Sequence, residues 1–179
     1  MNTKQLRQKI LDLAIRGKLV PQDPNDEPAS ILLQRIRAEK ERLIAEGKIK
    51  RPKRAKASSS ESHYQQFEPP FPIPDSWEWT NIEEILINRD AERMPISSAL
   101  RKKQTNKIYD YYGAAGVIDK VDDFLFDERL LLIGEDGANL LSRSKNNAFF
   151  AEGKYWVNNH AHVLDCTDKQ ILDYTCWLN

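Results

Sequence analysis

Apolar positions in the first fifty residues recur with a helical period. Leu6, Ile10, Leu13 and Ala14 share one face of a segment that runs to Arg16. Thr3 is an acceptable N-cap, and Gly17 supplies the left-handed stop. QDPNDEP then reads as a turn, because proline fixes φ while Asp and Asn cap locally. A second helix is signalled by Asp26 or Glu27 before Pro28 at a first-turn position, and runs to about Glu46, where Gly47 ends it. Its stripe of Ile31, Leu32, Ile36, Leu43 and Ile44 is broken by Glu39 and Lys40, and Arg35–Glu39 and Arg37–Glu41 are spaced as i,i+4 pairs. At ~1.5 Å per residue this is a rod of roughly 28 Å. Such a stripe needs a cover, either the first helix or a second helix pair.

After Phe71 the period changes. Trp77 and Trp79 alternate around Glu78, and Lys107–Tyr112 reads as a strand followed by a tight turn at Gly113–Gly116. Val117-Ile118 and Phe124–Phe126 are short strand candidates, and Leu130–Ile133 is a buried strand before a turn at Gly134–Gly137. Ala148–Ala151 and Tyr155–Val157 flank Glu152-Gly153-Lys154 as a hairpin would. The segment from Asp168 to Leu178 reads as a helix capped by Thr167 or Asp168. The expected fold is α+β: an N-terminal helical hairpin or spacer, then a mixed α/β domain with many short strands. The expected divisions are 1–50 helical, 51–69 linker and 70–179 globular.

Composition sharpens this picture. With 40% hydrophobic and 30% charged residues the chain can bury a core. It has no apolar run of the ~18 residues that span a bilayer, and MNTKQLRQKI lacks the apolar centre of a signal peptide. Cys166 and Cys176 form no CxxC, so a cytoplasmic protein without a disulfide framework is expected. The net charge of zero hides an asymmetry: residues 1–69 carry 15 Lys/Arg against 9 Asp/Glu, whereas residues 70–179 carry 12 against 18. The globular part is therefore no general polyanion binder. Lys48 to Lys56 holds six basic residues in nine and is followed by ASSSES, a solvated tether by composition.

Four motifs carry candidate chemistry. Glu68-Pro69-Pro70-Phe71 has the shape of the loop with which adenine methyltransferases hold a flipped base, but its first position is Glu and no glycine-rich methyl-donor turn precedes it. A proline-rich start to the domain is the better reading. His160, His162 and Cys166 could share one strand face as zinc ligands, though buried hydrogen-bonded residues give the same pattern. Gly134 to Asn139 lacks the Lys and second acidic element of a nuclease, and Glu152-Gly153-Lys154 lacks the rest of a P-loop. No catalytic residue and no metal ligand is assigned. The stretch from Arg89 to Lys107 is the leading DNA-facing candidate. It contains Arg89, Arg93, Arg101, Lys102, Lys103, Gln104, Asn106 and Lys107. Arg and Lys suit guanine edges, and Asn and Gln suit adenine edges. A second loop offers Arg143 and Lys145 beside Ser144, Asn146 and Asn147. An ordinary solvated loop is the alternative for both.

Taken together, LRQKILDLAIRGKLVPQDPNDEPASILLQRI, PFPIPDSWEW, YYGAAGVIDKVDDFLFDERLLLIGEDGANL and GKYWVNNHAHVLDC, in this order, resemble the specificity subunit of type I restriction–modification systems. The resemblance implies a non-catalytic DNA-reading subunit whose target recognition domains alternate with helical, coiled-coil-like spacers. Each domain reads one half of a bipartite site in double-stranded DNA. It implies modification (methyltransferase) subunits and restriction subunits as partners. It places S-adenosylmethionine, ATP and Mg²⁺ in those partners and no cofactor in this chain. Full subunits carry two recognition domains. This sequence carries one and stops at Asn179 before the usual closing segment, so a partial or truncated subunit is expected. The family's base-reading residues vary with the target, so none transfers by motif. The alternative is an interaction module that binds modification subunits without reading DNA. The uncovered helical stripe makes a homodimer a candidate in either case.

Overall fold

A computed structural model describes residues 2–51, 68–142 and 144–177, with Trp177 described by its backbone only. The chain forms two compact units, Met1–Glu84 and Ile85–Asn179. The mixed α+β character read from the sequence holds, with helices first and two sheets of short strands after them. No helix among the described residues is long and apolar enough to cross a membrane.

In the first unit, α1 (Thr3–Ile15) starts one residue earlier than the Thr3 cap predicts. Asn2 Oδ1 accepts the Gln5 N–H at 2.9 Å, and Gln5 Oε1 accepts the Asn2 N–H at 3.1 Å. This reciprocal pair satisfies two backbone donors at once, which a Thr3 cap could not do with Leu6 as its third neighbour. Gly17 ends the helix at φ +65°, and a Cβ there would lie 2.5 Å from Pro74 Cγ. The expected alternating run around Trp77 and Trp79 is not a strand. Residues 71–77 instead serve the helix end: Arg16 lies 4.8 Å from the Phe71 ring centre, and Trp77 donates from Nε1 to Gln22 Oε1 at 2.9 Å.

The second helix, α2 (Ala29–Ala45), takes Pro28 as its N-cap residue and is followed by Gly47 at φ +69°. Its buried face is Leu33 and Ile36. The chain returns to it after residue 75. Ala29 N–H donates to the Ser76 carbonyl at 2.9 Å, Arg37 pairs with Glu84 at 2.6 Å, and Lys40 Nζ donates to the Glu83 carbonyl at 2.7 Å. The predicted i,i+4 pairs are replaced by others: Arg35 meets Glu27, Glu41 meets Arg51, and Glu39 meets Arg42 at i,i+3.

The second unit begins within a short turn of helix, α3 (Ile82–Ile85). One sheet has the order β1 (Ile87–Asn88), β8 (Ala161–Asp165), β5 (Leu130–Gly134), β6 (Ala148–Ala151), all antiparallel. The other has the order β3 (Gly116–Val121), β2 (Tyr109–Gly113), β7 (Lys154–Val157), β4 (Phe126–Asp127). In it β2 and β7 run parallel, with Tyr111 opposite Trp156. The hairpin expected around Gly153 does not form. β6 pairs with β5, β7 pairs with β2 and β4, and residues 152–153 carry the chain from one sheet to the other.

The Leu130–Ile133 run is apolar throughout because both of its faces are covered. Leu130 and Leu132 meet Phe126, Tyr155 and Val157 of the other sheet, whereas Leu131 meets Leu172 on α6 (Lys169–Trp177). Asp168 caps that last helix, its Oδ1 accepting the Gln170 N–H at 2.9 Å. The far face of the second sheet, carrying Tyr111 and Trp156, is covered by residues 94–101. Ile96 N–H donates to the Tyr111 hydroxyl at 2.9 Å, and Trp156 Nε1 donates to the Met94 carbonyl at 2.5 Å.

Candidate nucleic-acid interface

The two longest acid-free stretches of the second unit are 93–109 and 137–151. They hold seven of the unit's twelve Lys/Arg, so basic character is concentrated there although acids outnumber bases in the unit as a whole. The sequence groups these cations together. The structure separates those that hold the fold from those that face solvent.

Arg89 belongs to the fold. It pairs with Glu92 at 2.6 Å and Glu128 at 2.5 Å, and lies 5.4 Å from the Phe126 ring centre. Arg93 is also committed, to Glu135 at 2.9 Å and the Ala161 carbonyl at 2.8 Å, with Asp90 at 3.3 Å. Burial works against the Asp90 carboxylate. The Val163 N–H, His162, Asn88 and Arg93 nevertheless hold its carboxyl below the ordinary range. His162 sits 2.6 Å from Asp90, and His160 sits 2.6 Å from Asp136. Cys166 donates its thiol to the Ile85 carbonyl. The three residues weighed as zinc ligands thus each have a separate protein partner.

The helix α4 (Ser98–Lys103) is capped by Ser97, whose side chain accepts the Leu100 N–H. Its Arg101 turns inward, with Nε 2.8 Å from Asp119 Oδ2 and the guanidinium over Tyr111. Asp119 also receives Lys107 Nζ at 3.1 Å and the Lys120 N–H at 2.8 Å. The Arg101 hydrogen bond, the Lys120 N–H and Lys107 hold the Asp119 carboxyl down at about 2. The next two residues, Lys102 and Lys103, point to solvent. Gln104 buries Oε1 without a hydrogen-bond partner, and exposed Asn106 uses its backbone N–H on Asp122 Oδ1 at 2.9 Å.

The described residues of the second candidate loop are held by hydrogen bonds that two flanking glycines do not suggest. At its root, Gly134 N–H donates to the Asn147 carbonyl at 2.8 Å, and Asn147 Nδ2 returns a bond to the Gly134 carbonyl at 3.2 Å. A Cβ at Gly134 would collide with the Ala114 carbonyl oxygen and lie 2.6 Å from Asn147 Oδ1, so this crossing requires glycine. Higher up, α5 (Asn139–Ser142) begins with Asn139, whose side chain bonds both the N–H and the carbonyl of Lys145, at 2.9 and 3.1 Å. The Asn139 clasp escaped the sequence reading; an Asn six residues before a basic loop residue is its only signal. Lys145 Nζ is left to solvent. Arg143 lies outside the described residues.

Among the described residues of this unit, Lys102, Lys103 and Lys145 are therefore the cations without a carboxylate partner. The remaining pairs are Lys120–Asp110, Arg129 with Glu152 and Asp173, Lys154–Asp127 and Lys169–Asp165. All three unpaired lysines come from the two acid-free stretches.

Neither a family model nor a solved structure matches the chain. Among curated proteins it is 57% identical over 82 residues to the type I restriction enzyme EcoAI specificity subunit of Escherichia coli. That match covers 46% of this chain and 13% of the relative. It is 55% identical over 82 residues to the EcoEI specificity subunit of the same organism, with the same shares. Over about half its length the chain is thus homologous to type I restriction enzyme specificity subunits, and the match spans about an eighth of those relatives.

Proposed function

We propose that this chain is a non-catalytic, DNA-reading part of a type I restriction–modification complex. Residues 1–50 serve as helical spacer and docking region, 51–69 as tether, and 70–179 as one target recognition domain that reads half of a bipartite site in double-stranded DNA. The observation that carries this reading is the segregation of cations. Lys102, Lys103 and Lys145 lack carboxylate partners, are exposed, and come from stretches of sequence without acids. Unpaired lysines suit phosphates, which fix register, while Asn106 and Asn146 can present amides to adenine edges. Arg89, Arg93, Arg101 and Lys107 are instead committed within the fold, because withdrawing any of them from its carboxylate would strip a charged hydrogen bond.

On this reading, the chemistry resides in partners. Modification subunits bring S-adenosylmethionine and transfer its methyl group to adenine, and restriction subunits bring ATP and Mg²⁺. Leu6 and Ile10, one turn apart on α1, are exposed and offer a docking face for modification subunits or a second copy. A second reading, an interaction module that holds modification subunits without reading DNA, is favoured by the excess of acids over bases in residues 70–179.

The test is enrichment of random-sequence duplexes by the purified complex of this chain with modification subunits, against modification subunits alone. A motif that appears only with the chain supports DNA reading. A stable complex without any motif supports the second reading and overturns the first.

A further inference from the structure

Leu141 is 92% exposed, more than any other large apolar side chain among the described residues. Hydrogen bonds hold the described residues around it. Asn139 clasps Lys145, Ser144 Oγ donates to Asn139 Oδ1 at 3.3 Å, and Ser142 N–H donates to the Ala138 carbonyl at 3.0 Å. The loop root is locked by the Gly134–Asn147 bonds. Leu140 beside it is 40% exposed, so the tip is apolar in a setting of exposed Ser144, Lys145 and Asn146. The acids just before the loop are already engaged, Glu135 with Arg93 and Asp136 with His160. From Gly137 to Ala151 there is none.

An apolar tip on a loop that also exposes an amide, a hydroxyl and an unpaired lysine complements a surface that is anionic at its edges and holds an isolated apolar group. The major groove is such a surface: phosphates line it, and the thymine 5-methyl is the apolar group on its floor. We propose that Leu141 is a specificity-determining residue that packs on a thymine methyl in the recognised half-site. This rests on the DNA-reading function above. Lys145 holds a flanking phosphate, and Asn146 lies within the same loop to meet a neighbouring base edge. A buried methyl-sized group is worth ~0.8 kcal/mol, or about a fourfold preference.

The experiment enriches random-sequence duplexes, made with thymine or with uracil in its place, on complexes of modification subunits with the wild-type chain or with Leu141→Ala. The wild type should select a motif containing a T·A pair whose preference falls about fourfold in the uracil library. Leu141→Ala should show the weakened preference in both libraries, with no further loss on removing the methyl. A motif and affinity unchanged by Leu141→Ala overturn the proposal and leave DNA reading intact. A preference lost in Leu141→Ala but insensitive to uracil also overturns it, since the contact is then not to the methyl. Loss of the modification subunits from the Leu141→Ala complex shows a protein contact instead. If the wild type selects no motif, DNA reading itself fails and this inference falls with it.

Discussion

Arg101 donates from Nε to Asp119 Oδ2 at 2.8 Å while its guanidinium carbon lies 4.5 Å from the centre of the Tyr111 ring. One side chain thereby ties α4, β2 and β3 together, and its neighbour Lys102 does not take part. The two residues should respond oppositely to truncation. Arg101→Ala removes a charged hydrogen bond and a cation–π contact, a loss of about 1–3 kcal/mol in folding stability. Lys102→Ala should change stability by less than ~0.5 kcal/mol. Thermal denaturation of the two variants side by side checks this, and equal stabilities would remove Arg101 from the scaffold.

Phosphate contacts should appear in the salt dependence of DNA binding. Each one released lowers the slope of log K against log salt by ~0.9. Replacing Lys102, Lys103 and Lys145 together by Ala should reduce the slope by about 2–3 and weaken binding to all sequences alike. Titrations at several salt concentrations, using the complex with modification subunits, give the slope directly. An unaltered slope would show that these lysines do not meet phosphate.

Acid stability follows from Asp119. Its carboxyl is held at about 2, against an ordinary value of 3.8. A depressed carboxyl contributes stability that is fully present above the ordinary value and is lost as pH falls toward the folded one. Between pH ~4 and ~2 the wild type should therefore lose a contribution that Asp119→Asn lacks at every pH. The amount is below ~2 kcal/mol, since one unit is worth ~1.4 kcal/mol and solvent screens a partly exposed group. Parallel stability profiles for the two proteins across this window would contradict the assignment.

The core makes a contrasting claim. Leu132 is fully buried between the two sheets, and Leu141 is almost fully exposed. Leu132→Ala should cost about 2–5 kcal/mol, and Leu141→Ala almost nothing. Chemical denaturation measures both, and a comparable loss at Leu141 would mean that its side chain is covered.

Local chemistry made much of this architecture legible. Gly17 and Gly47 mark helix ends because a left-handed residue is needed there, and LLLI reads as a buried strand because no polar side chain interrupts it. The error at Gly153 is of another kind. Two apolar strands beside a glycine turn read as a hairpin, yet the parallel pairing of β7 with β2 and the pairing of β6 with β5 are decided by partners far along the chain. The same limit applies at the interface. Arg101, Lys102 and Lys103 are consecutive and equally basic, and only the helical turn that aims Arg101 at Asp119 distinguishes them. Asn139 looked like turn composition because its clasp on Lys145 depends on the shape of the intervening helix.

The most direct test of DNA reading is a map of methylated adenine in the DNA of cells that co-express this chain with modification subunits. We expect a methylated motif absent from cells expressing the modification subunits alone, and one whose methylation falls, with its sequence unchanged, when Lys102, Lys103 and Lys145 are replaced together. A complex that assembles and yet adds no methylated motif would contradict the account and leave the chain as a docking module.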